Sequence, residues 1–268
     1  MILKFNFSKL CLFILTGLIL GCAGSSTDKV VKDSLYDTSS VKTSELKLIT
    51  VDGATLQLSN ISGKFIRALG VGSVVIPDNS ETGEKTISGL IPSNSTTNFV
   101  TIIPEGNVFD ESFGLIGLNS SEQLDVGSYN YVGKAEVFIN DGSALYGLNG
   151  NSNISISLGA NSSTITGEIT SLSGKKSYLD LTCRDCPASA VVDIVFPSGS
   201  LCNGNRICFN SIELKNNNLD VPLSNSYKID SDGALFGANA SELGTVFSIN
   251  DTQTGSIEIR GATVGKKK

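Results

Sequence analysis

The chain has no histidine and no tryptophan, and only one methionine in 268 residues. Without histidine there is no Ser-His-Asp triad, no His-ligated zinc and no His-ligated haem. Positive charge is also in short supply, with 20 Lys and Arg against 26 Asp and Glu and a net charge of −6. An acidic chain offers no electrostatic case for nucleic acid or for anionic lipid. The terminal Lys266-Lys267-Lys268 is too short to reverse that, and residues 265–268 are expected to be a solvated tail. Aromatics are 7%, a poor supply for the interfacial girdles of a membrane barrel. A sustained helical period is missing everywhere after the first 21 residues.

Those first residues are a targeting segment. Lys4 and Lys9 precede an apolar run, Leu10 to Leu20, and Gly21-Cys22 follows. A charged start, a short apolar middle and a small residue at the cut mark a secretory signal over 1–21. The run is too short for a membrane-spanning helix. Ile19-Leu20-Gly21-Cys22 resembles the bacterial lipobox, which makes Cys22 the expected site of lipid attachment. Residues 22–45 are rich in small polar side chains, as a flexible tether would be. Ala23 after the cysteine favours the outer membrane by the enterobacterial sorting pattern. The expected placement is the cell surface or the periplasmic face of that membrane.

What the body does contain is β pattern. Ile154, Ile156 and Leu158 alternate with serines, and Ile165, Gly167 and Ile169 alternate with Thr and Glu. Turn chemistry separates such runs at Asn140-Asp141-Gly142, Gly159 to Ser162, Ser173-Gly174 and Asp232-Gly233. Many short strands suggest a sandwich or a barrel. The lysine-rich terminus and the lipid anchor favour a soluble barrel with its apolar face inward. "DGSALYGLN" (141–149) echoes "DGALFGAN" (232–239), either as recurrent hairpin chemistry or as two related corners. "DSDG" (230–233) lacks the remaining ligands of a calcium loop and reads as a hairpin turn. No metal and no cofactor is expected.

Four cysteines remain in the body, Cys183, Cys186, Cys202 and Cys208, spaced C-x2-C-x15-C-x5-C. An oxidising compartment and an even count favour disulfides. A four-thiolate zinc site and a thioredoxin-like redox pair are the rivals. Cys202 and Cys208 span a short hairpin, "CNGNRIC". Cys183 and Cys186 pair locally, or both cross-link to the second couple.

"GALFGANASELGTVFS" (233–248) resembles the closing hairpin of the transferrin-binding protein B-like β-barrel lipoproteins, which read close to G-x-F-Y/F-G-P-N-A-x-E-L/V-G-G-x-F. Phe236, Gly237, Asn239, Ala240, Glu242, Leu243, Gly244 and Phe247 match. Ala238 stands in place of Pro, and Thr245 in place of a second Gly. "SFGLIGL" (112–118), "GSYNYVGKAEVFINDG" (127–142) and "STITGEI" (163–169) look like further strands of the same barrel. The resemblance implies an all-β fold, an eight-stranded antiparallel soluble barrel over 96–264. A small β-rich, handle-like region over 46–95 would precede it, or else those residues add strands over the barrel. Phe236 and Phe247 are expected to fill the core, Gly237 to permit the corner, and Glu242 to accept backbone N–H groups there or to face solvent.

Three function classes stay open: a binding lipoprotein presenting loops of a rigid barrel, a structural envelope lipoprotein, and an enzyme, for which the chain offers no catalytic constellation. The resemblance implies the first, with a protein or small-molecule ligand captured by a monomer. The stretch from Cys183 to Cys208 is expected to project from one barrel end, with Arg184, Asp185, Asn203, Asn205 and Arg206 as polar tips. Arg184 and Arg206 are the candidate ligand-binding residues. The alternative is a stapled loop that protects an edge strand.

Overall fold

Apolar and small polar residues alternate in the sequence, and burial follows them. Ile154, Ile156, Ile165 and Ile169 are buried, while Ser155, Ser157, Thr164 and Thr166 between them are exposed. The computed structural model describes residues 41–42, 46–50, 55–57, 65–68, 72–75, 86–87, 91, 95–103, 112–120, 124–202, 206–219, 226–253 and 257–268. The signal, Cys22, nearly all of the tether and the tips Asn203 and Asn205 lie outside them.

The fold is all-β, and the described residues include no α-helix. In chain order the strands are β1 (Val41–Lys42), β2 (Leu46–Thr50), β3 (Thr55–Gln57), β4 (Phe65–Ala68), β5 (Gly72–Val75), β6 (Thr86–Ile87), β7 (Thr97–Ile103) and β8 (Ser112–Leu118). The second half holds β9 (Gly127–Asn140), β10 (Ala144–Leu158), β11 (Ser163–Tyr178), β12 (Cys186–Ala188), β13 (Asp193–Phe196), β14 (Gly199–Cys202), β15 (Arg206–Phe209), β16 (Glu213–Lys215), β17 (Tyr227–Phe236), β18 (Glu242–Asp251) and β19 (Glu258–Lys267). Eight antiparallel strands form one curled sheet in the order β16-β13-β11-β10-β9-β19-β18-β17, and β12 pairs on β11. A second sheet has the order β3-β2-β8-β7-β4-β5, and β1 pairs with β6.

The large sheet curls into a half-barrel. The antiparallel ribbon β14–β15 lies between β11 and β17, where the sheet does not close on itself. Side chains replace a backbone ladder along this seam. Leu201 N–H donates to Ser163 Oγ at 2.9 Å on the β11 side. Phe209 N–H donates to Ser231 Oγ at 2.9 Å on the β17 side. Arg206 then bridges β15 to β17 with two hydrogen bonds to Asp232, at 2.9 and 2.6 Å. Inside, Phe196 stacks on Phe209 at 4.0 Å between ring centroids and meets Phe247 edge-on at 5.2 Å.

Several sequence expectations change. Strands β7 and β8 belong to the second sheet with β2 and β4, so residues 97–118 are not barrel strands and the curled sheet starts at Gly127. The terminal lysines are not a tail. Lys266 and Lys267 lie in β19, and Lys268 N–H donates to Asn130 O at 2.9 Å. Ser173-Gly174 lies within β11, with Gly174 backed against the Gly147 carbonyl, a close approach that excludes a side chain. Asp232-Gly233 lies within β17 instead of a turn, so the echo with 141–149 does not mark two equivalent corners. Phe236 and Phe247 are both fully buried but in different cores. Phe247 points into the barrel, against Gly261 of the neighbouring strand. Phe236 points outward, among Ile49, Phe99, Leu115, Val246 and Ala262 between the two sheets.

Asp232 is 1% exposed, and Arg206 satisfies it from a position 33% exposed. Removing the guanidinium takes two charge-assisted hydrogen bonds from a buried carboxylate, at a cost of about 1–3 kcal/mol. Urea unfolding should therefore show Arg206→Ala less stable than wild type by that amount, with Arg184→Ala nearly unchanged. Equal stability of the two variants would contradict the seam.

Candidate functional site

The matched corner is a structural device. Gly237 has φ +73°, Asn239 φ 54° and Ala240 φ 48°, so three residues leave the ordinary region in one tight 3-10 turn. Tyr131 O–H holds the Ala240 carbonyl at 3.0 Å from inside the barrel. Burial pushes the Tyr131 hydroxyl up to about 12. Lys267 Nζ donates to the Asn239 carbonyl. Glu242 is buried, and it does not serve its own corner. Its carboxylate accepts from Ser95 Oγ at 2.9 and 3.0 Å, Thr96 N–H at 3.1 Å and Thr97 Oγ1 at 2.6 Å. Lys266 Nζ lies 3.7 Å away. Gly237 N–H donates to Leu118 O at 3.0 Å. The ring of Phe236 lies over Gly117 of β8 and Gly244 of β18. The corner motif thus fastens the second sheet to the barrel.

The cysteines pair as Cys183–Cys186 and Cys202–Cys208, with Cα separations of 6.1 and 6.0 Å. Both pairings are local. The second closes the β14–β15 ribbon at the seam, where the Arg206 side chain is engaged by Asp232. The first closes a turn at the barrel end that carries Asp141.

That turn is tightly built. Burial alone would raise the Asp141 carboxyl, but hydrogen bonds from Ala144 N–H, Ser143 N–H, Ser143 Oγ and Tyr146 O–H outweigh it and hold the group below the usual carboxylate range. Leu179 N–H donates to Ser143 O at 2.9 Å and Tyr178 N–H to Cys183 O at 2.9 Å. Asp180 accepts from Thr182 N–H and Oγ1 at 2.9 and 2.7 Å. Asp185 N–H donates to Ser177 Oγ at 3.0 Å. On this frame Leu179 is 43% exposed and Leu181 is 82% exposed, and Leu181 has φ 64°. Arg184 is exposed beside them. A leucine held in the left-handed region and in water is doubly unfavourable. The sequence offered no sign of it, because the exposure arises from the fold of the turn.

A second feature lies where the two sheets meet. A groove of about 490 Å³ is lined by Phe99 of β7, Lys134 and Glu136 of β9, Asn149 and Asn151 of β10, and Ser171 of β11. Lys134 and Glu136 alternate with Ala135 and Val137, whose side chains are buried in the barrel core. The pattern predicts an outward Glu136. It does not reveal that the second sheet half-buries it. That burial pushes the carboxyl up to about 7 from 4.5.

No family model matches the chain, and no curated protein does. Solved structures do match. The chain is similar to transferrin-binding protein B. A mutant of that protein from Haemophilus parasuis Hp5 shares 13% identity at a TM-score of 0.44, over 83% of this chain and 44% of that one. The isotype 1 protein from serogroup B Neisseria meningitidis gives 12% and 0.41, over 84% and 43%. A surface lipoprotein gives 11% and 0.36, over 77% and 99%. The chain thus spans less than half the length of those two transferrin-binding proteins.

Folded Glu136 holds its proton up to about pH 7, whereas the ordinary carboxyl loses it near 4.5. The folded state is therefore favoured at low pH and loses stability as pH rises through that window, with the full penalty present above it. Glu136→Gln should raise the melting temperature at about pH 8 and leave it unchanged at about pH 4. The same shift at both pH values would contradict the burial of this carboxyl.

Proposed function

We propose that this chain is a lipid-anchored binding protein of the bacterial outer membrane, held at Cys22, that presents the disulfide-closed turn 179–186 to a protein partner. The observation that carries this reading is Leu181, 82% exposed at φ 64° on a turn closed by Cys183–Cys186. Exposed apolar side chains on a pre-ordered loop lose little entropy on binding and desolvate favourably. Arg184 adds a charged contact at the edge of the same tip. The barrel is the scaffold that positions it, as rigid sheets position loops elsewhere. Among the described residues no group of three or more His, Cys, Asp or Glu is placed to hold a metal, and the reading invokes no catalysis and no cofactor. The lipobox-like ending at Gly21-Cys22 supports the anchor. The acidic balance argues against nucleic acid as the partner.

Two measurements test it. Fatty-acid labelling of cells should mark the wild type and not Cys22→Ala. Full-length protein should capture one partner reproducibly from host or environmental extracts, and Leu179→Ser with Leu181→Ser should reduce that capture at least tenfold while leaving the melting temperature within a degree or so. Label retained in Cys22→Ala would refute the anchor. Unaltered capture in the double variant, or none by the wild type, would return the protein to a structural envelope role.

A further inference from the structure

The groove between the sheets is separate from the leucine tip and from the Glu242 corner. Its volume of about 490 Å³ falls among small-molecule sites, which run to roughly 300–1,000 Å³. Its polar groups are unequally committed. Lys134 Nζ donates to Asn151 Oδ1 at 2.8 Å. Glu136 has no hydrogen-bond or ion-pair partner among the described residues. We propose that this groove binds a small organic cation, an amine or guanidinium compound, with Glu136 as its counter-ion, Asn149 as a polar contact and Phe99 as an apolar wall.

The charges around Glu136 leave that role open. On β9 the neighbouring charge is Lys134, already engaged by the amide of Asn151. On β19 the residue opposite Glu136 is Ala262, and the next charge along, Arg260, donates to Glu258 at 2.5 Å. On β10 the residue opposite is Asn149. On β11, Ser171 N–H donates to Asp193 Oδ1 at 3.1 Å, and Asn216 Nδ2 donates to Asp193 Oδ2 at 2.6 Å. From the second sheet the groove is closed by Phe99. An ionised Glu136 is thus half-buried without a compensating charge among the described residues, a costly arrangement that a bound cation relieves. A glutamine would give the fold the same shape without that cost. An aromatic wall beside a carboxylate suits ammonium and guanidinium groups.

Agmatine is a suitable probe, since it carries both groups on a short chain. Titration calorimetry of the full-length protein should show binding at about pH 8.5. Between there and about pH 5.5 the affinity should fall about 30-fold, the loss in ionised fraction of a carboxyl titrating at about 7. Glu136→Gln, which keeps the fold, should lower affinity at the higher pH at least tenfold and remove most of the pH dependence. The neutral analogue butylurea should bind neither protein. Absence of agmatine binding to the wild type at millimolar concentration, or equal affinity in Glu136→Gln, would overturn the proposal. Either result leaves the leucine-tip reading untouched, because the two surfaces share no residue.

Discussion

One buried carboxylate holds the two sheets in register. Glu242 sits at the first position of β18, takes hydrogen bonds from Ser95, Thr96 and Thr97, and lies within 3.7 Å of Lys266. Charge-assisted bonds of this kind are roughly twice as strong as neutral ones. A satisfied buried charge also punishes misplacement, because any slip leaves it without donors. Around it, the outer face of β17–β19 is apolar and covered: Ala234, Phe236, Val246 and Ala262 pack on Ile49, Phe99 and Leu115. The strand β18 is therefore buried on both faces over most of its length.

The other features depend on that contact. With β17 held from outside, its free edge can meet the β14–β15 ribbon through Ser231 and Asp232, although no backbone ladder joins them. Burial of Asp232 follows from the same cover, and Lys47 of β2 feels it: burial lowers the lysine pKa, while the nearby Asp232 raises it and Arg206 lowers it further. The groove at Glu136 exists because Phe99 reaches over the outer face of β9 and β10. At the far end, the turn closed by Cys183–Cys186 is fastened to the curled sheet through Tyr178 and Leu179. The chain thus leaves its unfavourable groups, Leu181 and Glu136, at two separate surfaces.

The strands were legible because alternation is local, as at Ile154 to Leu158 and Ile165 to Ile169. Three things were not. Asp232-Gly233 has the chemistry of a turn, but its carboxylate is matched by Arg206, a partner 26 residues away that no window reveals. Phe236 and Phe247 read as one core, because parity cannot be counted through the 3-10 turn at Ala238–Ala240 that separates them. The terminal lysines read as a solvated tail from composition, yet Lys267 lies over the Tyr129 ring and reaches the Asn239 carbonyl, so the charges sit at the rim of a paired strand. The site residues fared similarly. Arg184 is exposed as its setting suggested, Arg206 is consumed by the seam, and Glu136 and Leu181 carried no local signal, since burial and backbone strain are products of the whole fold.

Glu242 couples the second sheet to the barrel. Native-state hydrogen exchange on wild type and Glu242→Gln measures that coupling. Amides of β8, Gly114 to Leu118, and of the corner Gly237 to Ser241 should lose protection together in the variant, while β10 and β11 keep theirs. Protection of β8 identical to wild type, with the carboxylate gone, would contradict it.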